Sequence, residues 1–435
     1  MKEETVSIPY DKDRFVHSEI LSSKNIRWVY PREVPATKPI EALVEQAFNS
    51  PINSRKLDDE KIESAAIIVS DNTRVHTPYL PLLVKKMETK TSNIKIVIAS
   101  GTHVVPEIDF VEKVAGRELL TKFWYKVRNS STQNPLSKYE FVGVTSRGTE
   151  VELNKEILEC DFILSSLCVR PHYFAGWEGG AKALVPGCAS LKTVSKNHSL
   201  SVGNPNGKEL VIKGNPVRED MNEVPSLLKK ERGIEHRIID FVPNKDDVPV
   251  LVGYGEPRAA HQALADYSQS IYAVKARPAP LVITVAEMPL GQNFYQALKA
   301  CSHATNIVKL NNHPKPVTIL VGSMKNGIGS KTFEKEMRTY SNMGPQEVLK
   351  KLKERAVAGD FNETLEKINR LAIDEPLRDY IVVSPEAPSD LKAFLNNVGV
   401  TFYEELDDAI KSLKPELLTD ILVISNGTST VPIPA

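Results

Sequence analysis

The sequence predicts an α/β fold of two domains with mainly parallel sheets. Three observations predict it. Apolar runs of strand length alternate with helical patterns, a second such series starts late in the chain, and a proline-containing join lies between the two. A length of 435 residues also exceeds what one domain usually holds.

The first series opens with a helical pattern at Pro39–Phe48, followed by a strand at Ala65–Ser70 (AAIIVS) and a helix at Pro78–Lys90. Strands follow at Ile94–Ser100 (IKIVIAS) and Asp161–Ser166 (DFILSS). These runs are mostly apolar rather than alternating, as in strands covered on both faces of a parallel sheet. The second series places strands at Leu281–Ala286, Val317–Gly322, Tyr380–Ser384 and Ile421–Ser425, with helices at Gln346–Ala356 and Ser389–Asn397. In KARPAP, residues 275–280, Pro and Ala interrupt both periods. The expected domains are therefore residues 1–275 and 276–435.

Lys+Arg and Asp+Glu both number 55, giving a net charge of zero. The basic surplus or stripe of a nucleic-acid or anionic-membrane binder is missing. No apolar run approaches the ~20 residues of a membrane helix, and MKEETVSIPYDKDRF has no apolar signal-peptide region. The expectation is a soluble cytoplasmic protein with no nucleic-acid or membrane partner. Cys160, Cys168, Cys188 and Cys301 form no CxxC pair and read as buried, reduced thiols.

Ligands of open α/β sheets sit outside the carboxyl ends of the strands. Three strands of the first series lead there into polar loops: SDNTRVHTP (70–78), SGTH (100–103) and RPHYFAGWEGGAKALVPG (170–187). Together they offer Asp71, Thr73, Arg74, His103, His172 and Lys182. Each has a plainer reading. DNTR can simply cap a helix, although Arg74 beside a helix start is also a good carboxylate or phosphate clamp. SGTH can be a turn, although a strand-end histidine, with an ordinary pKa of ~6.5, is a natural general base.

In the third loop, Gly176, Gly179, Gly180 and Gly187 allow close backbone approach to a ligand. GGAK is not a Walker A motif, because Ala181 and Ala183 flank Lys182 where Gly and Ser or Thr are required. Nucleoside triphosphate binding is therefore not expected. A lysine in an apolar, glycine-lined pocket can serve as a nucleophile or covalent anchor. His198, in VSKNHSL, reads on its own as a surface histidine. His17, His76, His236, His261, His303 and His313 show no usable spacing and read as structural.

Taken together, DNTR, SGTH, HYFAGWEGGAK–VPG and the later KNH resemble the nickel-dependent lactate racemase family. GNPVREDMNEV (214–224) and MPLGQNFYQALK (288–299) extend the resemblance over most of the chain. The resemblance implies a 2-hydroxy-acid racemase or epimerase. It implies a nickel pincer nucleotide, a pyridinium mononucleotide whose two thio-carbonyl arms grip Ni(II), covalently attached at Lys182 with His198 as nickel ligand. It implies His103 and His172 as the acid/base pair, and Arg74, Tyr295, Gln296 and Lys299 as substrate contacts. Asp71, Thr73, Arg74, Gly176, Gly179 and Gly180 match the region around the cofactor. Cofactor maturation enzymes are implied as partners, and an interdomain cleft with Lys182 near Lys299 as the active site.

The implied reaction suits these residue types. A mismatch on the order of 20 pKa units between histidine and a C2–H bond corresponds to roughly 27 kcal/mol. Proton-coupled hydride transfer through a 2-keto acid avoids that carbanion. Two departures from the family pattern stand beside the pocket-forming segments: Glu178 replaces a small residue such as Ser, and Gly291 stands where Asp is frequent. They point to a substrate other than lactate, such as one with extra hydroxyls or an aryl group. Two other function classes fit the same residues: a metal-assisted hydrolase or lyase with His103, His172 and His198 directly on a metal, and a non-catalytic nucleotide- or acid-binding protein.

Overall fold

The computed structural model describes residues 5–123, 127–308 and 314–435. His313 lies outside the described residues. The chain forms two compact units, residues 33–271 and residues 1–32 together with 272–435. The sequence pattern assigns residues 1–32 to the first domain. The structure instead pairs the strand Ile26–Val29, in parallel, with Ile421–Ile424 of the late series. A pairing between the two ends of a chain leaves no local pattern to read.

The unit of residues 33–271 is built on a six-stranded sheet. Its order is Pro249–Gly255, Glu235–Pro243, Phe162–Ser166, Ala65–Ser70, Ile94–Gly101, Val127–Ser131. All neighbours are parallel except the first pair, which is antiparallel. Ala65–Ser70 is buried along its whole length, which its six-residue run AAIIVS requires. Its odd and even residues serve different cores. Ile67 and Val69 pack with Leu43, Val44, Leu80 and Leu83 of the helices Ile40–Asn49 and Leu80–Glu88. Ala66 and Ile68 pack on the other face with Val194, Val217 and Met221 of the helices Leu191–Ser199 and Pro216–Arg232. Each large aliphatic side chain buried this way contributes about 1.5–3 kcal/mol.

The other unit has a fully parallel sheet, in the order Thr401–Tyr403, Asp379–Val383, Val317–Val321, Leu281–Val285, Ile421–Ile424, Ile26–Val29. The helix Ser389–Asn397 has the bounds its sequence pattern indicates. Two antiparallel hairpins, Val6–Asp11 with Arg14–Ser18 and Tyr139–Val144 with Glu150–Asn154, are absent from the sequence reading. All four cysteines are free and buried. Burial pushes the thiols up, to about 11 for Cys160 and about 12 for Cys188 and Cys301. No helix among the described residues is long and apolar enough to cross a membrane.

Candidate active site

The three loops at the carboxyl ends of Ala65–Ser70, Ile94–Gly101 and Phe162–Ser166 are tied together. Asp71 follows directly on the first strand and is 1% exposed. Its Oδ1 accepts the Thr73 N–H at 3.0 Å and the Thr73 hydroxyl at 2.7 Å, a local Asx turn. Its Oδ2 lies 2.8 Å from His103 Nδ1. A carboxylate there accepts the Nδ1–H, so neutral His103 keeps a lone pair on Nε2. Burial alone would raise the Asp71 carboxyl, but His103, Thr73 and Arg74 outweigh it and hold the group below its usual range.

The SGTH turn reaches the third loop through Gly101, whose N–H donates to the Gly187 carbonyl at 3.0 Å. Gly101 has φ +55°, and a Cβ there would stand 3.2 Å from the Pro186 carbonyl oxygen. His172 is buried in the third loop, stacked on Tyr173 with 5.0 Å between ring centroids and edge-on to Phe174 at 4.7 Å. The Ala175 N–H donates to His172 Nδ1 at 3.3 Å, which puts the proton of the neutral ring on Nε2. As neutral rings, His103 and His172 thus differ in tautomer.

Phe174 also meets the ring of His198, at 4.9 Å. His198 lies on the helix Leu191–Ser199 and is buried rather than on the surface, as the isolated motif had suggested. Its Nδ1–H donates to the Val194 carbonyl at 2.7 Å, leaving Nε2 as a lone-pair donor. Burial lowers its pKa to about 4, with the charges of Lys182 and His103 adding to the fall and the Val194 bond opposing it. A neutral imidazole with a fixed tautomer is what a metal ion requires of a histidine. Lys182 sits in the short 3-10 turn Gly180–Ala183. These observations fit a lysine-tethered group with one histidine ligand.

The glycines of this loop are also required by the packing around them. Gly176, Gly179 and Gly180 have φ of +78°, +81° and +65°. A Cβ would stand 2.0 Å from the Val211 carbonyl oxygen at Gly176, 2.8 Å from Asp240 Oδ2 at Gly179, and 2.8 Å from the His261 ring at Gly180. The space opened by the missing side chains is filled by the protein's own atoms.

Beneath this loop lies a support that sequence reasoning missed. Arg218, fully buried, donates to the carbonyls of Ala175 and Gly179 at 3.1 Å each, and to that of Trp177. Asp240 accepts the Gly180 N–H at 2.6 Å and the Leu167 N–H at 2.8 Å. His261, read from sequence as structural, donates Nε2–H to the Glu178 carbonyl at 2.8 Å. Burial pushes Asp240 up to about 7 and Arg218 down to about 9, while their mutual attraction opposes both shifts. The usable signal was a lone aspartate inside the apolar strand segment IIDFV. Burying such a charge is costly unless it is hydrogen-bonded or paired.

Arg74 is already engaged. Its Nη1 donates to the Thr73 carbonyl at 3.0 Å and hydroxyl at 3.1 Å, and its Nε lies 3.3 Å from Glu178 Oε1. Tyr295, Gln296 and Lys299 lie on the helix Phe294–Ala304 of the other unit. Asn293 caps that helix by accepting the Gln296 N–H at 3.0 Å. Tyr295 and Lys299, four residues apart, share a helix face. The buried Lys367 ammonium stands 5.0 Å from the Tyr295 ring centroid, a further contact that sequence reading missed. Gly291 has a backbone reason for being glycine: a Cβ there would stand 1.9 Å from the Ala286 carbonyl oxygen.

Inverting a 2-hydroxy acid through a 2-keto acid requires one group to take the hydroxyl proton on one face and a protonated group to return it on the other, tasks that two histidines can perform. A racemase is a class of protein that such a pair fits. Comparison with known proteins agrees and narrows it. Residues 10–209 match the family described as the lactate racemase N-terminal domain, and residues 274–431 match the lactate racemase C-terminal domain. The chain belongs to the lactate racemase family. It is similar to the lactate racemase of Thermoanaerobacterium thermosaccharolyticum, with 27% identity over 358 residues, 80% of each chain. The lactate racemase of Lactiplantibacillus plantarum is 26% identical over 298 residues, 67% of this chain and 68% of that one. The lactate racemase apoprotein structure from T. thermosaccharolyticum superposes with a TM-score of 0.84 at 25% identity, covering 98% of this chain and 99% of that one. A crystal structure of a Thermotoga maritima protein shares the fold, with a TM-score of 0.70 at 18% identity, covering 92% and 99%.

Proposed function

We propose that this protein inverts C2 of a 2-hydroxy acid, using His103 and His172 as its acid/base pair. The observation that carries the proposal is the 2.8 Å contact of Asp71 with His103 Nδ1. It orients His103 with Nε2 ready to accept the substrate's hydroxyl proton, and the carboxylate stabilises the imidazolium that results. His172 supplies the proton on the other face. For this it works from its doubly protonated form, giving up the long 3.3 Å contact with the Ala175 N–H. Lys182 and His198 would hold a nickel pincer nucleotide, which when bound supplies a hydride acceptor at C2. Arg74 is a substrate-carboxylate contact in this reading, and Tyr295, Gln296 and Lys299 are further substrate contacts.

The test is to incubate the protein, co-produced with cofactor maturation enzymes, with single-enantiomer 2-hydroxy acids and to follow the enantiomeric ratio by chiral chromatography. Inversion of at least one acid supports the proposal; return of every acid unchanged sinks it. A hydrolase or lyase with all three histidines on one metal draws less support. Among the described residues, no group of three or more His, Cys, Asp or Glu side chains is placed to hold a metal ion.

A further inference from the structure

We propose that the unit of residues 1–32 and 272–435 holds a ligand site of its own, for a neutral apolar molecule with the bulk of a fused aromatic ring pair. The observation is a pocket of about 390 Å³ on one face of that unit's sheet.

The floor of the pocket is Leu320 and Val382, which pair directly across two parallel strands. Their chain neighbours Ile319, Val321, Ile381 and Val383 point to the opposite face and pack into a core there. Helices stand around the floor. Phe294, Leu298 and Cys301 form an apolar stripe on Phe294–Ala304, at the i, i+4, i+7 spacing of one helix face. Ile368 and Ala372 do the same on Leu365–Asp374. Met337 of the helix Lys331–Tyr340 and Val348 of the helix Pro345–Ala358 also line the space. These helices turn apolar faces toward a volume that they do not fill.

Protein interiors seldom keep a void much larger than a water molecule, because side chains interdigitate. A dry apolar cavity of about 150 Å³ takes up benzene. The pocket here has more than twice that volume and falls within the range of small-molecule sites. Met337 and Met343 on its wall are flexible thioethers that can follow an occupant's shape.

The polar groups of the wall select against charge. The Tyr380 hydroxyl is committed: it accepts from Arg378 at 2.7 Å and donates to Asp374 at 3.1 Å. Burial pushes the Cys301 thiol up to about 12 and so keeps it neutral. The Ser341 hydroxyl donates to the Arg338 carbonyl at 3.1 Å. Glu375, an exposed carboxylate at the rim, shares Lys315 with Asp379, at 3.3 Å and 2.8 Å. Two carboxylates against one ammonium disfavour an anionic ligand. Tyr295 and Lys299 stand about 100° round the helix from Phe294 and Leu298. The pocket thus uses none of the side chains assigned to the 2-hydroxy acid, and the proposal does not depend on the racemase reading.

The experiment titrates the full chain with indole and with indole carboxylate, by calorimetry and by the shift in melting temperature. Indole should bind at millimolar concentration or below and raise the melting temperature, and the carboxylate should bind at least about tenfold more weakly. Ala372→Phe fills the pocket, and Met343→Trp blocks it from a half-buried position that tolerates bulk. Each should abolish indole binding. Glu375→Lys should narrow the gap between the two probes. Absence of indole binding to the wild type overturns the proposal. So does indole binding that survives in both Ala372→Phe and Met343→Trp, since the molecule then sits elsewhere. Equal affinity for the two probes overturns the assigned ligand class.

Discussion

The two loops that present the candidate acid/base histidines are built in opposite ways. Around His103, polar side chains at the end of one strand hold each other: Asp71 binds Thr73 and His103, and Arg74 binds Thr73. Around His172, aromatic rings and glycines pack tightly, and Arg218, Asp240 and His261 secure the backbone from below. Charge sets the chemistry of the first loop, and close packing sets the shape of the second. Substitutions in the first should therefore lower the rate with little loss of stability, and substitutions under the second should do the reverse.

The largest effect is expected at Lys182, the chemical group of the packed loop. Lys182→Ala should abolish inversion and also the extra covalent mass seen in the intact matured protein; a variant that keeps that mass removes the assigned anchor. Next comes Asp71→Asn, which should lower kcat by roughly 10²–10⁴-fold while costing only about 1 kcal/mol of stability. If urea unfolding showed a large stability loss instead, the proposed division between the loops would fail. Arg218→Met should show the opposite profile, losing roughly 3–5 kcal/mol in the same measurement because it strands buried carbonyls and leaves Asp240 without its counter-charge. Little change there would mean that the loop does not depend on this support.

The smallest effect concerns acid. The Asp71 carboxyl is held below its ordinary value in the folded protein. Its contribution to stability is therefore present above that ordinary value, about 4, and is lost as the pH falls through the depressed value. The stability difference between wild type and Asp71→Asn should narrow as the pH is lowered below about 4. A difference that stays constant with pH would show that the carboxylate is not stabilised by its partners.

Strands buried on both faces were legible because nothing polar interrupts them. AAIIVS at 65–70 and LVITV at 281–285 can hardly be anything else. The polar loops were legible because they follow those strands directly. The support of the third loop was not, because Arg218 and Asp240 meet only in three dimensions. The positive-φ glycines were visible, but the protein atoms packed against them were not. A sequence shows that a side chain is missing and does not show which atom fills the space. The pairing of Glu178 with Arg74 is likewise visible only in three dimensions.

The strand Ile26–Val29 has a consequence for biosynthesis. It leaves the ribosome long before its partner Ile421–Ile424, which lies almost four hundred residues further along the chain. At roughly 5–20 residues per second the interval is on the order of tens of seconds. During that time residues 33–271 can complete their own sheet as an insertion within a host that is still unfinished. Premature termination before residue 421 would leave the early strand with an open, unpaired edge, a template for aggregation.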